Sequence, residues 1–206
     1  MTNYEDSWRN EEVFKQQLQL NLKELNENYP DHWNSFLSFI CDLKEQHPTS
    51  LLDIGCGCGA LAEVLHKYES SINYMGIDYA QEAIKIASEQ WPHSIFVEGN
   101  YKDLTKEDIA NFDIINSCSL HNVLQNGDEA MEYLLQLNPK ILILGKILTT
   151  NNPSYFTTDN AYSLITTYKY FHNLDNLYKI FSKYNYDFTE HANSNVSHFL
   201  LRKKDV

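Results

Sequence analysis

Residues 51–61 read LLDIGCGCGAL, which places Gly55, Gly57 and Gly59 within five positions of a 206-residue chain that has only seven glycines. An apolar run enters this turn, and an amphipathic stretch with Leu61, Val64, Leu65 and Tyr68 leaves it. That order predicts a strand, a tight turn and a helix. Glycine lets the backbone approach a ligand with no Cβ in the way, and a helix N-terminus aims free N–H groups at it. The turn is therefore the first candidate for a binding site.

Working outward, short apolar runs recur as SLLDI (50–54), INYMGI (72–77), SIFVE (94–98), FDIIN (112–116) and KILILG (140–145), with amphipathic stretches between them. Such alternation predicts a parallel sheet wrapped by helices, an α/β doubly wound architecture. Thr105 with Asp108 three residues on predicts a capping box. Upstream, Phe14, Leu18, Leu22 and Leu25 form one helical stripe and Trp33, Phe36, Leu37, Ile40 and Leu43 another, with Asp31 as N-cap and Pro48 closing the second helix. Downstream, Leu174, Leu177, Tyr178, Phe181 and Tyr184 predict a last helix. YDFTEH (186–191) and SHFLLRK (197–203) then predict an antiparallel hairpin. One domain is expected, with N-terminal helices over 1–48, a binding core over 49–147, a candidate substrate cover over 148–173, and a closing helix and strands over 174–206.

Composition narrows the partners. A net charge of -12 opposes non-specific attraction to phosphate backbones or anionic lipid, so no nucleic acid and no membrane partner is expected. The opening MTNYEDSWRNEEVF is polar and acidic, unlike a signal peptide, and the longest apolar run, ILILGKIL, is too short to span a bilayer. A soluble, cytoplasmic protein is expected. Cys41, Cys56, Cys58 and Cys118 have no framework or zinc-site spacing, so no metal is expected and Cys56 and Cys58 read as small fillers.

Gly55, Gly57 and Ala60 satisfy the pattern G-x-G-x-x-[GA], and Asp78 follows about twenty residues on, at the end of the next strand, where its carboxylate can accept from both hydroxyls of a ribose. A nucleoside-containing cofactor is indicated. The stretches LLDIGCGCG, YMGIDYA, VEGNYKDL and FDIINSCSLHNVL, in that order over residues 51–124, resemble the motifs of the class I methyltransferases that use S-adenosylmethionine (SAM). The resemblance implies a Rossmann-like, seven-stranded sheet closed by the C-terminal hairpin, and a methyltransferase converting SAM to S-adenosylhomocysteine. It also implies roles. Gly55, Cys56 and Gly57, with Asp53 behind them, would hold the methionine part. Asp78 would take the ribose hydroxyls, Tyr79 would cover the adenine, and Asn100 and Tyr101 would recognise it, Asn100 standing where the family commonly has Asp. Ser117 and Cys118 would meet the methionine end.

His121 falls where the fourth strand ends, and is the candidate general base, against a purely structural role. NNPSYF (151–156) resembles the motif of amino-group methyltransferases but follows the wrong strand, and reads as a loop. Tyr155, Phe156, Tyr162, Tyr168, Tyr170 and Phe171 are core or a substrate wall, with Tyr4 and Trp8 as candidates for a lid. The expected activity is methyl transfer from SAM to an oxygen or nitrogen of a small molecule. A catalytically silent SAM-binding protein and an NAD-dependent dehydrogenase are the alternatives.

Overall fold

The computed structural model describes residues 4–69 and 71–204. After a 3-10 turn at Glu5–Trp8 come α1 (Glu11–Asn26) and α2 (Asp31–Asp42). Asn10 starts α1 by accepting from the Glu12 N–H. Pro30, not Asp31, occupies the N-cap of α2; Asp31 is the first helical residue, where its charge suits the helix dipole.

The alternation that follows is β1 (Ser50–Ile54), α3 (Ala60–Tyr68), β2 (Asn73–Asp78), α4 (Gln81–Gln90), β3 (Ile95–Glu98), α5 (Lys106–Ala110), β4 (Ile114–Cys118), α6 (Gly127–Gln136) and β5 (Ile141–Thr150). The capping box of Thr105 and Asp108 opens α5. These five strands are parallel in the order β3-β2-β1-β4-β5. The direction of winding reverses between β1 and β4, which leaves a crevice at the strands' carboxyl ends.

The chain closes with β6 (Tyr155–Ala161), β7 (Ile165–Asn173), α7 (Leu174–Lys183), β8 (Tyr186–Asn193) and β9 (Val196–Lys203). β9 lies antiparallel on β5, and β8 on β9. The turn between them is shorter than the stretch 192–196 left between the two predicted strands, because Asn193 pairs with Val196 and leaves only Ser194 and Asn195 outside the ladder.

The expected doubly wound sheet is present, but it carries nine strands rather than seven. The two extra ones are β6 and β7, a hairpin in the segment expected to be an irregular cover. Tyr155 and Phe156, read from sequence as loop, open β6. Alternating Thr and Tyr residues favour strand, and β7 can anchor because Thr149 and Thr150 extend β5 past its pairing with β9, to meet His172 and Asn173.

Successive residues of each strand feed opposite cores. Leu51, Ile114 and Ile143 pack with Trp33, Phe36, Phe39 and Ile40 of α2 and Leu61 and Leu65 of α3. Leu52, Ile115, Leu142 and Leu144 pack with Met131 and Leu134 of α6 and Leu177, Ile180 and Phe181 of α7. Each such large side chain contributes about 1.5–3 kcal/mol when fully buried, so both faces of the sheet are firmly held. The carboxyl-end crevice thus has rigid walls.

Candidate active site

A cavity of about 400 Å³ lies at that crevice, within the size range of small-molecule sites. Asp53, Gly55, Cys56 and Gly57 wall it from the end of β1, Asp78 and Tyr79 from β2, Asn100 and Tyr101 from the loop after β3, and Cys118 from β4. Residues up to 65 positions apart in sequence converge because all four strands are parallel and end at one edge.

The glycine turn is shaped by both its conformation and its neighbours. Gly57 has φ +54° and a Cβ there would stand 2.5 Å from Gln17 Oε1 of α1. Gln17 Oε1 in turn accepts from the Cys58 N–H at 3.0 Å, so α1 braces the turn from outside. Gly59, at φ +75°, does a different job: a Cβ would stand 2.5 Å from the Phe96 ring, so this glycine lets α3 pack against β3.

Asp78 is 8% exposed, and its two carboxylate oxygens are oriented by the backbone, Oδ2 accepting from Gly57 N–H at 2.9 Å and Oδ1 from Ala80 N–H at 3.0 Å. Burial raises its pKa, and those two N–H groups oppose the rise. Each oxygen keeps lone-pair capacity toward the cavity, as a ribose edge requires. Asp53 is more deeply set, accepting from Tyr74 Oη at 2.6 Å and from Asn116 Nδ2 at 2.7 Å. Burial pushes its carboxyl up to about 6 even though both donors pull it down. An ionised Asp53 therefore gains from a cation placed in the cavity.

Asn100 uses its side-chain oxygen locally, accepting from the Lys102 N–H at 3.0 Å to cap the turn Tyr101–Asp103. Tyr79 donates from its hydroxyl to the Glu5 carbonyl, and Arg9 lies 4.9 Å from the centre of its ring. Trp8, which lines the cavity, donates from Nε1 to Thr167 Oγ1 at 2.9 Å, while Tyr4 meets the Tyr168 ring edge-on. The N-terminal segment thus straps the Tyr79 side of the cavity to the β6–β7 hairpin.

Two expected site residues lie elsewhere. Ser117 is fully buried and points to the core opposite the cavity, because the strand alternation puts Asn116 and Cys118 on the cavity side. His121 is fully buried off the cavity wall, its ring 6.5 Å from that of His172. Burial and then the neighbouring His172 pull its pKa down to about 3, so it is a poor base near neutral pH. Neither of its nitrogens has a hydrogen-bond partner among the described residues.

Sequence reasoning missed Asn116 and Tyr74, which set the charge state of Asp53, as well as Gln17 and Lys146. The signal for Asn116 was present, since strands entering a common crevice in parallel place Asn116 directly opposite Asp53. Of the aromatic cluster, Tyr162 reaches this cavity, whereas Tyr155, Phe156 and Tyr170 line a second groove with Tyr101 and Tyr133. Among the described residues no group of three or more His, Cys, Asp or Glu is placed to hold a metal, and no helix is long and apolar enough to cross a membrane. The four cysteines are free.

The residues present fit a cofactor with a nucleoside and a cationic end. Two buried carboxylates set at the ends of adjacent strands offer the contacts, Asp78 for the hydroxyls of a nucleoside and Asp53 for a cation.

Comparison with known proteins agrees with this geometry. Residues 52–138 match a family described as a methyltransferase domain. The chain is 33% identical over 124 residues to the mitochondrial ubiquinone biosynthesis O-methyltransferase of Saccharomyces cerevisiae, a match covering 57% of this chain and 39% of that protein. It is 26% identical over 172 residues to an uncharacterized methyltransferase of Alkaliphilus oremlandii, covering 77% and 78% respectively. Among solved structures, human N-acetylserotonin methyltransferase in complex with SAM superposes with a TM-score of 0.66 at 16% identity, over 96% of this chain and 58% of that one.

Proposed function

We propose that this chain, whose residues 52–138 match a methyltransferase-domain family, is a class I, Rossmann-like SAM-dependent methyltransferase that transfers a methyl group from SAM to an oxygen or nitrogen of a small-molecule acceptor. The observation that carries this is Asp78, a buried carboxylate whose two oxygens are held by Gly57 and Ala80 N–H groups at the mouth of the glycine turn. When bound there, SAM supplies a methyl group already activated by its sulfonium.

The remaining work falls to the chain's own residues. Asp78 accepts from the ribose hydroxyls. Asp53, with its proton affinity raised by burial, favours the methionine ammonium. Gly55 and Gly57 clear space for close backbone approach, and Tyr79 and Tyr101 flank the base. The strap at Glu5–Trp8 and the aromatic wall exclude water. Displacement from a sulfonium draws its rate chiefly from holding the acceptor in line, so a cavity that positions both partners suffices without His121.

The enclosed volume supports a small acceptor. The name of the yeast relative, an O-methyltransferase, supports oxygen, although the chain spans only 39% of that protein's length.

Calorimetric titration of the purified protein with SAM and S-adenosylhomocysteine, with NAD as the control, tests the cofactor. Saturable binding of the first two is expected, and preference for NAD overturns the assignment. Turnover with a panel of hydroxyl and amine acceptors then separates an enzyme from a catalytically silent SAM-binding protein.

A further inference from the structure

Lys146 enters the cavity through a break in β5. Leu144 pairs with Phe199 of β9 and Ile147 with Ser197, so Gly145 and Lys146 together oppose the single residue His198. This is a β-bulge, a device that re-aims a side chain. Unbroken alternation from Leu144 would send residue 146 into the core shared with α6 and α7. Instead Ile147 takes that place, and Lys146 turns onto the cavity wall.

The turn is costly and is held deliberately. Lys146 has φ +55°, a strained left-handed conformation that a non-glycine residue keeps only where its surroundings enforce it. The Lys146 N–H donates to His198 Nδ1 at 2.9 Å, its carbonyl accepts from Asn122 Nδ2, and the Leu148 N–H donates to Asn122 Oδ1 at 3.0 Å. Because Nδ1 of His198 accepts, a neutral His198 ring carries its proton on Nε2. His198 and His32, the latter from α2, both line the same end of the cavity.

The charge brought there is unspent. Of the cavity's three Lys and Arg side chains, Arg9 lies over Tyr79 and Lys102 pairs with Glu5 at 3.9 Å. The Lys146 ammonium is in no ion pair among the described residues. It is felt by Glu24 of α1, by His32 and by His198. Burial and then the Lys146 charge pull His32 down to about 3, and burial lowers His198, so neither ring competes with Lys146 as a cation near neutral pH.

Position tells which ligand this end serves. The sheet order is β2-β1-β4-β5, with Asp78 on β2 and the glycine turn on β1. Neighbouring strands lie about 4.8 Å apart, which puts Lys146 roughly 10 Å across the sheet from the glycine turn, on the side away from Asp78. That is the acceptor's side of the cavity.

We propose that the methyl acceptor is a small organic acid whose carboxylate is held by the Lys146 ammonium and the His198 Nε2–H, with the bulge in β5 as the specificity device. The proposal rests on the methyltransferase reading above. Trp33, Phe36 and Phe39 beside His32 give the same end an apolar wall, which suits an acid with a hydrocarbon body.

The test is calorimetry on the full chain saturated with S-adenosylhomocysteine, titrated with benzoate, cinnamate and succinate, each against its amide. At least one acid is expected to bind about tenfold or more tighter than its amide, the worth of a charge-assisted hydrogen bond. Lys146→Gln should abolish that preference while leaving S-adenosylhomocysteine affinity within about twofold, and Lys146→Arg should restore part of it. No preference for any acid, or a preference that survives in Lys146→Gln, overturns the proposal and leaves the methyltransferase reading standing. Failure of S-adenosylhomocysteine to bind overturns that reading and this one with it.

Discussion

Asn116 Nδ2 donates to Asp53 Oδ1 at 2.7 Å, and the two residues are direct partners across β1 and β4. With Tyr74, this amide is what keeps a fully buried carboxylate from rising above about 6. The folded-state pKa lies above the ordinary 3.8 of an aspartate, so this group's contribution to stability is full below pH 3.8 and is lost as pH rises through about 6. Asn116→Ala removes a donor to the charged form and raises that pKa further. The variant is expected to lose about 1–3 kcal/mol of stability at pH 7.5 and less at pH 5, read by urea melts at both. An equal loss at the two pH values would show that Asn116 acts by packing alone.

Asp78 has two duties, ligand and organiser of the turn. Asp78→Ala strands the Gly57 and Ala80 N–H groups as well as the ribose edge. S-adenosylhomocysteine affinity is expected to fall about a hundredfold or more, with a lower melting temperature even without ligand. Asp78→Asn, which keeps one acceptor oxygen, should recover part of the melting temperature but little of the affinity. Paired calorimetry and thermal melts measure both.

His121 is buried off the cavity wall, and the expectation is that turnover does not depend on it. His121→Leu, of similar volume and with no polar atom to bury, should retain kcat within about twofold. The pH dependence of stability should change instead. A folded-state pKa near 3 against 6.5 means that stability is full above pH 6.5 and is lost as pH falls toward 3. Removing the ring should lessen that loss by about 1.4 kcal/mol per pH unit between pH 6 and 4, as read by denaturant melts across that range. A collapse of kcat at unchanged KM would return His121 to the reaction.

Gly59 and Gly57 should respond differently to alanine. At Gly59 the new Cβ meets the Phe96 ring at 2.5 Å and Ala87 Cβ at 3.0 Å, neither of which can swing away cheaply. Gly59→Ala is expected to cost about 2 kcal/mol or more of stability. At Gly57 the obstacle is the tip of Gln17, so Gln17→Ala should relieve part of the steric cost of Gly57→Ala though not its backbone strain. Melts of the two singles and the double separate these contributions.

The local chemistry of this protein was legible because it is local. LLDIGCGCGAL dictates strand, left-handed turn and helix from three glycines within five positions, and the spacing to Asp78 follows from the length of one helix and one strand. The apolar runs specify parallel strands buried on both faces. What the sequence by itself could not decide is which way a side chain faces once register is set. Ser117 and Asn116 are neighbours of similar polarity, yet strand alternation sends one to the core and the other to Asp53. His121 sits one short turn past β4, and that turn, with Ser119 at φ +66°, folds it inward instead of toward the cavity. The hairpin β6–β7 exists because β5 outruns its pairing with β9, a length mismatch between elements far apart in sequence. Lys146 is the clearest case. ILILGKIL reads as unbroken alternation, and only the two-against-one pairing with His198 turns the lysine from the opposite core into the cavity. Composition and spacing fix what each segment is; the pairing of strands, which no single segment contains, fixes what each side chain meets.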